Sequence, residues 1–524
     1  MKNSLMQNQE SNSFWLRIFI IIILVLGIFF RFINLDQKVY WYDETFTSLR
    51  ISGYTEKEAI QQLYTGLEIS PNDLQKYQRP NPEKSLLDTL KGLAVEEPQQ
   101  SPLYFILVRW WVQLFGHSVA VTRSLSVLFS LLAFPCLYWL CLELFQSALT
   151  GWISLALLAV SLFHVVYAQE ARPYAMWTVT IFLSSAALLR AMRLKTKSSW
   201  IIYAATVILS FYTYLFSIFV VISHGVYVTA TERFNWSKTV RAYLITSLVG
   251  FLCFAPWLAI VVMNLSTIQY RTQGSRNPTS LLDLVRGWAG NIKLFFIHIG
   301  PAPYLTIVCL VLVGYALYFL WRHTFQSVWL FPLSLILIPG LAIILPDLIL
   351  GGRRSTAAKY LIPCFLGMQL AVAYLLASGI ASANSTQRKI WQVIMAVLLT
   401  GGIASCAINS QSESSLSKIF NGDNPPIARL INQSARPVVV SDTSDLGNFG
   451  SILSLSYLVN SNVRFLLIDK PESLKIPDHF SDVFLYDTSG KSETLRNVIR
   501  KNYKVQLIHE KSGMRNLWRI EKKS

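Results

Sequence analysis

The chain has 524 residues and a mass of 59.4 kDa, with a hydrophobic share of 53% and a charged share of only 14%. Soluble domains carry about 25% charged residues, so the composition excludes a wholly soluble protein. The net charge of +17 could suggest a nucleic acid as partner, but residues 101–409 are largely apolar and hold five acids against 20 Lys and Arg. Because Lys and Arg collect in cytoplasmic loops, this pattern is typical of a polytopic membrane protein, and we expect no nucleic-acid partner.

Eleven apolar segments approach the roughly 20 residues that a membrane-spanning helix needs. They are residues 14–33, 120–142, 150–167, 174–192, 199–213, 216–230, 242–262, 303–321, 328–345, 359–380 and 390–409. Basic loops such as 190–198 and 232–241 would face the cytoplasm. The sequence therefore predicts a multi-pass protein with a cytoplasmic N-terminus and with every residue after 409 on the opposite side.

Two segments have an ambiguous relation to the membrane. Residues 101–116 are apolar but short and contain Arg109, so they predict a helix that lies in the interface or re-enters the membrane. Residues 199–230 must cross the membrane twice to keep the basic loops on one side, although each half has only about 15 residues, against the roughly 20 of a full span.

Residues 410–524 change character and predict a small extracytoplasmic α/β domain. Strand-like runs occupy residues 437–441, 463–468, 483–486 and 505–509, and a polar helical stretch covers residues 492–500. No phosphate-binding glycine motif is present, and all six cysteines lie in apolar segments, so no disulfide framework is indicated. One interpretation of this domain is a scaffold or binding appendage without chemistry of its own.

The first outer loop, residues 34–100, carries 11 acids, and near its start the aromatic run Tyr40-Trp41-Tyr42 is followed by Asp43 and Glu44. A carboxylate at the membrane interface is suited to act as a general base on a hydroxyl group. The alternative is that both are solvated loop acids among eleven.

Glu170 is one of the five acids in the apolar stretch, within the sequence Tyr167-Ala-Gln-Glu-Ala-Arg-Pro-Tyr174 between two spans. A charge near the membrane boundary is costly unless it is paired or functional. Glu170 is therefore a candidate site residue, with the alternative that Arg172 is simply its structural partner.

The outer loop 351–360 contains Arg353, Arg354 and Lys359, which breaks the tendency of cations to face the cytoplasm. Arg and Lys bind phosphate well, so the loop is a candidate phosphate site. The alternative is an interaction with anionic lipid headgroups.

With these residues identified, the chain resembles membrane glycosyltransferases of the C-type fold, in the bacterial branch related to protein O-mannosyltransferases and lipid A aminoarabinose transferases. The resemblance covers roughly residues 14–380. It is based on Asp43-Glu44 after the first span, on residues 101–116 followed by 118–130 with Arg123, on residues 167–175, and on Lys359-Tyr-Leu-Ile-Pro363. It implies about 11 transmembrane helices, interfacial helices, and a transmembrane domain over residues 1–409.

The resemblance implies a role for each candidate residue. Asp43 is the expected base that deprotonates the acceptor, and Glu44 and Glu170 are the other acidic catalytic positions. Asp43 and Glu170 are also the expected ligands of a divalent cation, Mg²⁺ or Mn²⁺, if one is used. The remaining roles are donor phosphate binding by Arg172, Arg353, Arg354 and Lys359, and substrate binding by Gln169, Tyr174 and Tyr360.

The implied activity is transfer of a sugar, a hexose or pentose, from a polyprenyl-phosphate donor to an envelope acceptor, with inversion at the anomeric carbon. The expected setting is the bacterial inner membrane, with the active face outside the cytoplasm, and the acceptor is open among lipid, glycan and protein. Two alternatives stay open, namely a flippase or transporter of polyprenyl-linked lipids and a non-catalytic membrane scaffold.

Overall fold

The computed structural model describes residues 2–300, 303–414, 421–443, 446–487, 492–511 and 514–523. The chain divides into two compact units. The helical unit comprises Met1–Ile33, Glu97–Tyr104 and Arg123–Gln411, and the mixed unit comprises Asn34–Glu96, Phe105–Thr122 and Ser412–Ser524.

Helices dominate the described residues, and six strands form one sheet. The helices are α1 (Lys2–Phe32), α2 (Tyr42–Ser52), α3 (Glu56–Leu63), α4 (Pro71–Lys76), α5 (Leu86–Glu96), α6 (Leu103–Phe115), α7 (Val119–Phe145), α8 (Ala148–Val160), α9 (Leu162–Ala168), α10 (Tyr174–Leu194), α11 (Lys197–Thr213), α12 (Ser217–Thr231), α13 (Lys238–Met263), α14 (Leu265–Arg271), α15 (Leu281–Phe296), α16 (Pro303–His323), α17 (Gln326–Leu350), α18 (Ile362–Ile380), α19 (Ser385–Ser410), α20 (Asn424–Asn432), α21 (Leu446–Leu455) and α22 (Glu493–Asn502). The strands are β1 (Thr65–Ile69), β2 (Pro437–Asp442), β3 (Arg464–Ile468), β4 (Asp482–Tyr486), β5 (Tyr503–Lys511) and β6 (Met514–Lys522).

Long apolar helices account for most of the predicted spans. Among the described residues, α7, α10, α13, α16, α17, α18 and α19 are long and apolar enough to cross a membrane. The pair α8 and α9, bent by 62°, is either an eighth, broken span or a re-entrant loop. The other three predicted segments coincide with α1, α11 and α12. A polytopic helical membrane protein is therefore confirmed, while the count of eleven spans is not.

A buried arginine stabilises the break between α8 and α9. The guanidinium of Arg31 donates to the carbonyls of Leu158 (3.0 Å) and Ala159 (2.7 Å), which lie at the end of α8, and to the hydroxyl of Ser130 (2.8 Å). The last carbonyls of a helix have no partner within the helix, and a cation there is favourable. Arg31 thus connects α1 and α7 to the point where the chain turns into α9.

The segment between α13 and α16 contains two helices that the sequence analysis did not predict. They are α14 and the amphipathic helix α15. Trp288 of α15 donates to the hydroxyl of Ser355 (2.9 Å), and Asn291 donates to the carbonyl of Thr356 (3.0 Å). Helix α15 therefore holds the basic loop that leads to Lys359.

The sheet of the mixed unit has the order β1-β3-β2-β4-β6-β5. Strands β3, β2 and β4 are parallel in the centre, while β1, β6 and β5 pair antiparallel at the edges. Successive side chains of a strand point to opposite faces, so Val439 contributes to one core and Val438 and Val440 to the other. The predicted small α/β domain is confirmed.

One face of this sheet is covered by residues of the first outer loop. Phe46 and Leu49 of α2 belong to the same buried cluster as Val439 and Phe465 of the sheet. Strand β1, at residues 65–69, also joins the sheet beside β3. The sequence analysis drew this domain from residues 410–524 alone, whereas its core contains the part of the first loop that carries Asp43.

Candidate functional site

The turn between α9 and α10 carries one acidic candidate, Glu170, and one basic candidate, Arg172. Glu170 and Arg172 are 1% and 3% exposed, and the Arg172 N–H donates to the Glu170 carbonyl at 2.8 Å. The side-chain Nε2 of Gln169 donates to the backbone carbonyls of Phe30 (3.0 Å) and Ile33 (2.9 Å) at the end of α1. Gln169 therefore has a structural contact that fixes the turn, and its substrate-binding role stays a prediction.

Three of the predicted site residues meet at the start of α10. The Arg172 guanidinium carbon lies 6.0 Å from the ring centre of Tyr174, and the Lys359 ammonium lies 5.5 Å from the centre of the same ring. We call Arg172, Tyr174 and Lys359 the cationic patch. A cation at such a distance from an aromatic ring is attracted by the ring's electrons, so Tyr174 stabilises two positive charges beside each other.

Aromatic neighbours fix this ring in place. Tyr174 packs against Tyr167 and Tyr214, with ring centres 5.1 Å and 6.0 Å apart. Tyr360 is half-buried, with its ring centre 5.7 Å from the Lys359 ammonium and 5.3 Å from the ring of Phe216. The aromatic ring at the centre of the patch is thus fixed by packing against other rings.

The two arginines of the basic loop have contacts of their own. Arg354 donates to the buried carboxylate of Asp347 at 2.9 Å, and Asp347 also accepts the Ser355 N–H at 2.6 Å. Arg353 is exposed, and its Nε donates to the Gly274 carbonyl at 3.1 Å. Arg354 therefore has a structural ion pair, and the phosphate-binding role of both arginines stays a prediction.

Asp43 and Glu44 lie in the first turn of α2, in the mixed unit. Glu44 is fully buried and accepts the Trp41 N–H at 3.4 Å, whereas Asp43 is partly exposed. A helix N-terminus favours negative charge. Of this pair, Asp43 is the more exposed carboxylate, and Glu44 contributes to the start of the helix. The catalytic role of both stays a prediction.

Close packing positions the start of α2. The Tyr42 N–H donates to the Asn421 side chain at 3.0 Å. A β-carbon added to Gly450 of α21 would lie 2.6 Å from the Tyr42 ring and 2.8 Å from the Phe46 ring. The absence of a side chain at Gly450 therefore lets α2 approach α21 closely.

The mixed unit also contains a basic cavity of about 580 Å³ that sequence reasoning missed. Lys38, Arg79, His117 and Tyr457 are among its lining residues. Arg79 donates to Nε2 of His117 at 2.9 Å, and burial together with Arg79 lowers the pKa of His117. Burial raises the pKa of the Tyr457 phenol. With His117 and Tyr457 neutral, the lining carries two cations, Lys38 and Arg79, against one acid, Asp36, so the cavity has a small net positive charge.

No group of three His, Cys, Asp or Glu side chains suited to a metal ion occurs in the part of the chain that the structure describes. Mg²⁺ usually binds through one or two carboxylates, substrate phosphates and water. The residues present thus do not form a complete protein-only site, and metal binding by Asp43 and Glu170 stays a prediction.

In a comparison with known families, residues 99–260 match the model described as dolichyl-phosphate-mannose-protein mannosyltransferase. The matched segment contains Glu170, Arg172 and Tyr174. The resemblance inferred from the sequence is therefore confirmed. No curated protein sequence matches the chain.

The chain is also similar to solved structures. ArnT from Cupriavidus metallidurans in the apo state matches with a TM-score of 0.51 and 12% identity, over 97% of this chain and 98% of its own. The same protein bound to undecaprenyl phosphate gives 0.45 and 13%, over 97% and 98%. The archaeal oligosaccharyltransferase AglB from Archaeoglobus fulgidus, in complex with an inhibitory peptide and a dolichol-phosphate, gives 0.47 and 11%, over 96% and 74%.

The similarity to apo ArnT confirms the C-type glycosyltransferase fold class. The family match and this fold together support a multi-span membrane protein of the glycosyltransferase class.

Proposed function

We propose that the protein transfers a sugar from a polyprenyl-phosphate donor to an envelope acceptor on the extracytoplasmic face of a bacterial inner membrane. The observation that carries this proposal is the match of residues 99–260 to a family whose named donor is a dolichyl-phosphate sugar. That segment contains two members of the cationic patch. The acceptor, which is a lipid, a glycan or a protein, and the identity of the sugar are left open.

The cationic patch is suited to the donor phosphate. Breaking the bond between the sugar and the phosphate leaves an additional negative charge on the phosphate oxygens. Arg172 and Lys359, both in contact with the Tyr174 ring, would stabilise that charge as it develops, which is a large term in enzymatic catalysis. Tyr360 and the exposed Arg353 are further candidates for donor contacts.

The acceptor step is assigned to Asp43. Its carboxylate accepts the proton of the acceptor hydroxyl as the oxygen forms a bond to the anomeric carbon. The bond from that carbon to the phosphate oxygen breaks, and the electron pair leaves with the phosphate. Attack from the face opposite the leaving group inverts the anomeric configuration.

The other acids have supporting roles in this proposal. Glu44 is buried at the start of α2 and helps to fix the helix that carries Asp43. Glu170 is buried in the turn beside Arg172, where it orients the acceptor or the Arg172 side chain. Gln169 fixes the same turn to the end of α1.

A transfer assay tests the proposed activity. The purified protein in lipid nanodiscs is incubated with radiolabelled polyprenyl-phosphate hexoses and pentoses and a cell-envelope extract. We expect label in the acceptor fraction together with release of unlabelled polyprenyl phosphate.

The transporter alternative gives a different result in proteoliposomes. Donor that crosses the bilayer chemically intact, with no sugar transferred, would support a flippase and contradict the proposal. Neither transfer nor transport in the presence of all donors and extract would support the scaffold.

A further inference from the structure

The helical unit contains an apolar groove between α11 and α13, with a cavity volume of about 840 Å³. Small side chains, Ala204, Ala205 and Ala242, lie between larger ones such as Ile201 and Ile245. Ile201 and Ile245 are largely exposed in the structure, so the groove opens to the outside of the helical unit.

The two helices come close together near one end of the groove. A β-carbon on Gly250 of α13 would lie 2.6 Å from the Val207 side chain of α11. The groove therefore ends near Ile208 and Val249, where the helices touch.

The length of the groove matches one leaflet of a bilayer. On α13 it runs from Lys238 to Val249, which corresponds to roughly 16 Å at 1.5 Å per helical residue. The hydrocarbon core is about 30 Å thick, so the groove spans about half of it.

Three lysines line the other end of the groove, namely Lys195, Lys197 and Lys238. Both α11 and α13 begin at this end, and helix N-termini favour negative charge. Within the described ranges no carboxylate forms an ion pair with these lysines, whereas nearby Arg190 and Arg193 pair with Glu143. The positive charge at this end thus has no counter-ion among the carboxylates that the structure describes.

We propose that this groove binds an anionic phospholipid of the cytoplasmic leaflet. One acyl chain lies between α11 and α13, and the phosphate lies against Lys195, Lys197 and Lys238. Basic pockets between membrane helices on the cytoplasmic side are suited to anionic headgroups. Trp200 lies at the same end of the groove, and Trp residues are common at the membrane–water interface. This inference does not depend on the transfer reaction.

Native mass spectrometry of the purified full-length protein tests the proposal. Phosphatidylglycerol and phosphatidylcholine with identical acyl chains are added in equal amounts. We expect phosphatidylglycerol to be retained at least ten-fold more, and the Lys195→Gln/Lys197→Gln/Lys238→Gln variant to lose this preference.

The matched control is Arg322→Gln/Arg388→Gln/Lys389→Gln, which removes the same charge from other loops expected to be cytoplasmic. This variant should keep the preference. An Ala205→Phe variant fills the groove but keeps the lysines, so it should retain less lipid of both kinds.

Several results would overturn the proposal. They are equal retention of the two lipids by the wild type, equal loss in both triple variants, and unchanged retention in Ala205→Phe. Displacement of phosphatidylglycerol by a 10-fold excess of inorganic phosphate would assign the lysines to a free anion. Retention of added polyprenyl phosphate in preference to phosphatidylglycerol would assign the groove to the donor lipid.

Discussion

Lys359 is the cation that connects the basic loop to the α9–α10 turn, because its ammonium and the Arg172 guanidinium both lie within 6.0 Å of the centre of the Tyr174 ring. The loop that carries Lys359 is itself held by hydrogen bonds from α15 to Ser355 and Thr356. The chemistry proposed for Lys359 is binding of the donor phosphate.

The Lys359→Gln variant tests that role. A hydrogen bond to a charged group contributes about 1.5–3 kcal/mol, so kcat/KM for the donor should fall by about 10- to 100-fold. Radiolabel transfer at varied donor concentration measures it. The control is Arg286→Gln, an exposed cation of the same unit paired with Asp283, and a similar loss there would contradict the role of Lys359.

Arg354 is expected to contribute to stability, because it pairs with the buried carboxylate of Asp347. Removing one partner of such a pair leaves the other without compensation, so Arg354→Gln should lower the stability by about 1–3 kcal/mol. The thermal midpoint in detergent reports this loss. Adding Asp347→Asn should recover part of it, and additive losses in the double variant would show that the pair contributes little.

The sequence identified Glu170 because acids are rare in the apolar stretch, and Asp43 because it follows the first span. It did not identify the contacts that fix them. The hydrogen bonds from Gln169 to α1 and from Tyr42 to Asn421 join residues more than a hundred positions apart, and no local pattern encodes such pairs.

At the scale of elements, α2 depends on close contact with α21. Gly450→Ala places a methyl group against the Tyr42 and Phe46 rings, and overpacking of this kind costs about 1–3 kcal/mol. Because Tyr42 precedes Asp43, we expect both a lower thermal midpoint and a lower transfer rate.

The matched control is Gly92→Ala in α5, where an added β-carbon meets nothing within 4 Å. Alanine favours a helix over glycine, so stability should be unchanged or higher. If Gly450→Ala behaved like Gly92→Ala, the close packing of α2 on α21 would be refuted.

Most predicted spans coincide with single helices because a membrane span is one long apolar run that a single sequence reveals. The predicted span 150–167 is instead divided into α8 and α9, which are bent by 62°. Strand β1 was missed, since its pairing of Thr65 with Ile468 and the contact of Glu68 with Arg464 join distant segments. Helix α15 was missed because amphipathic spacing in an outer loop is weaker than an apolar run. Predicted strands with buried β-branched residues, such as β2, were found correctly.

For the whole molecule, the charge pattern predicts that the loop at 190–198 is cytoplasmic and the region after residue 409 is not. In a Cys253→Ala background, which lacks the exposed cysteine, Ser461→Cys should react with an impermeant maleimide in spheroplasts. Ser198→Cys should react only after permeabilisation. Labelling of both from the same side would require an even number of spans between them and would contradict the predicted topology.

The most direct test of the proposed mechanism is the transfer rate of Asp43→Asn. The variant keeps the size of the side chain and removes the base, and general base catalysis contributes about 10²- to 10⁴-fold. Asp36→Asn, an exposed acid of the same loop, is the control. We predict a loss of about 100-fold or more in Asp43→Asn with a near-normal rate in Asp36→Asn, whereas an unchanged rate in Asp43→Asn would contradict the assignment of Asp43 as the base.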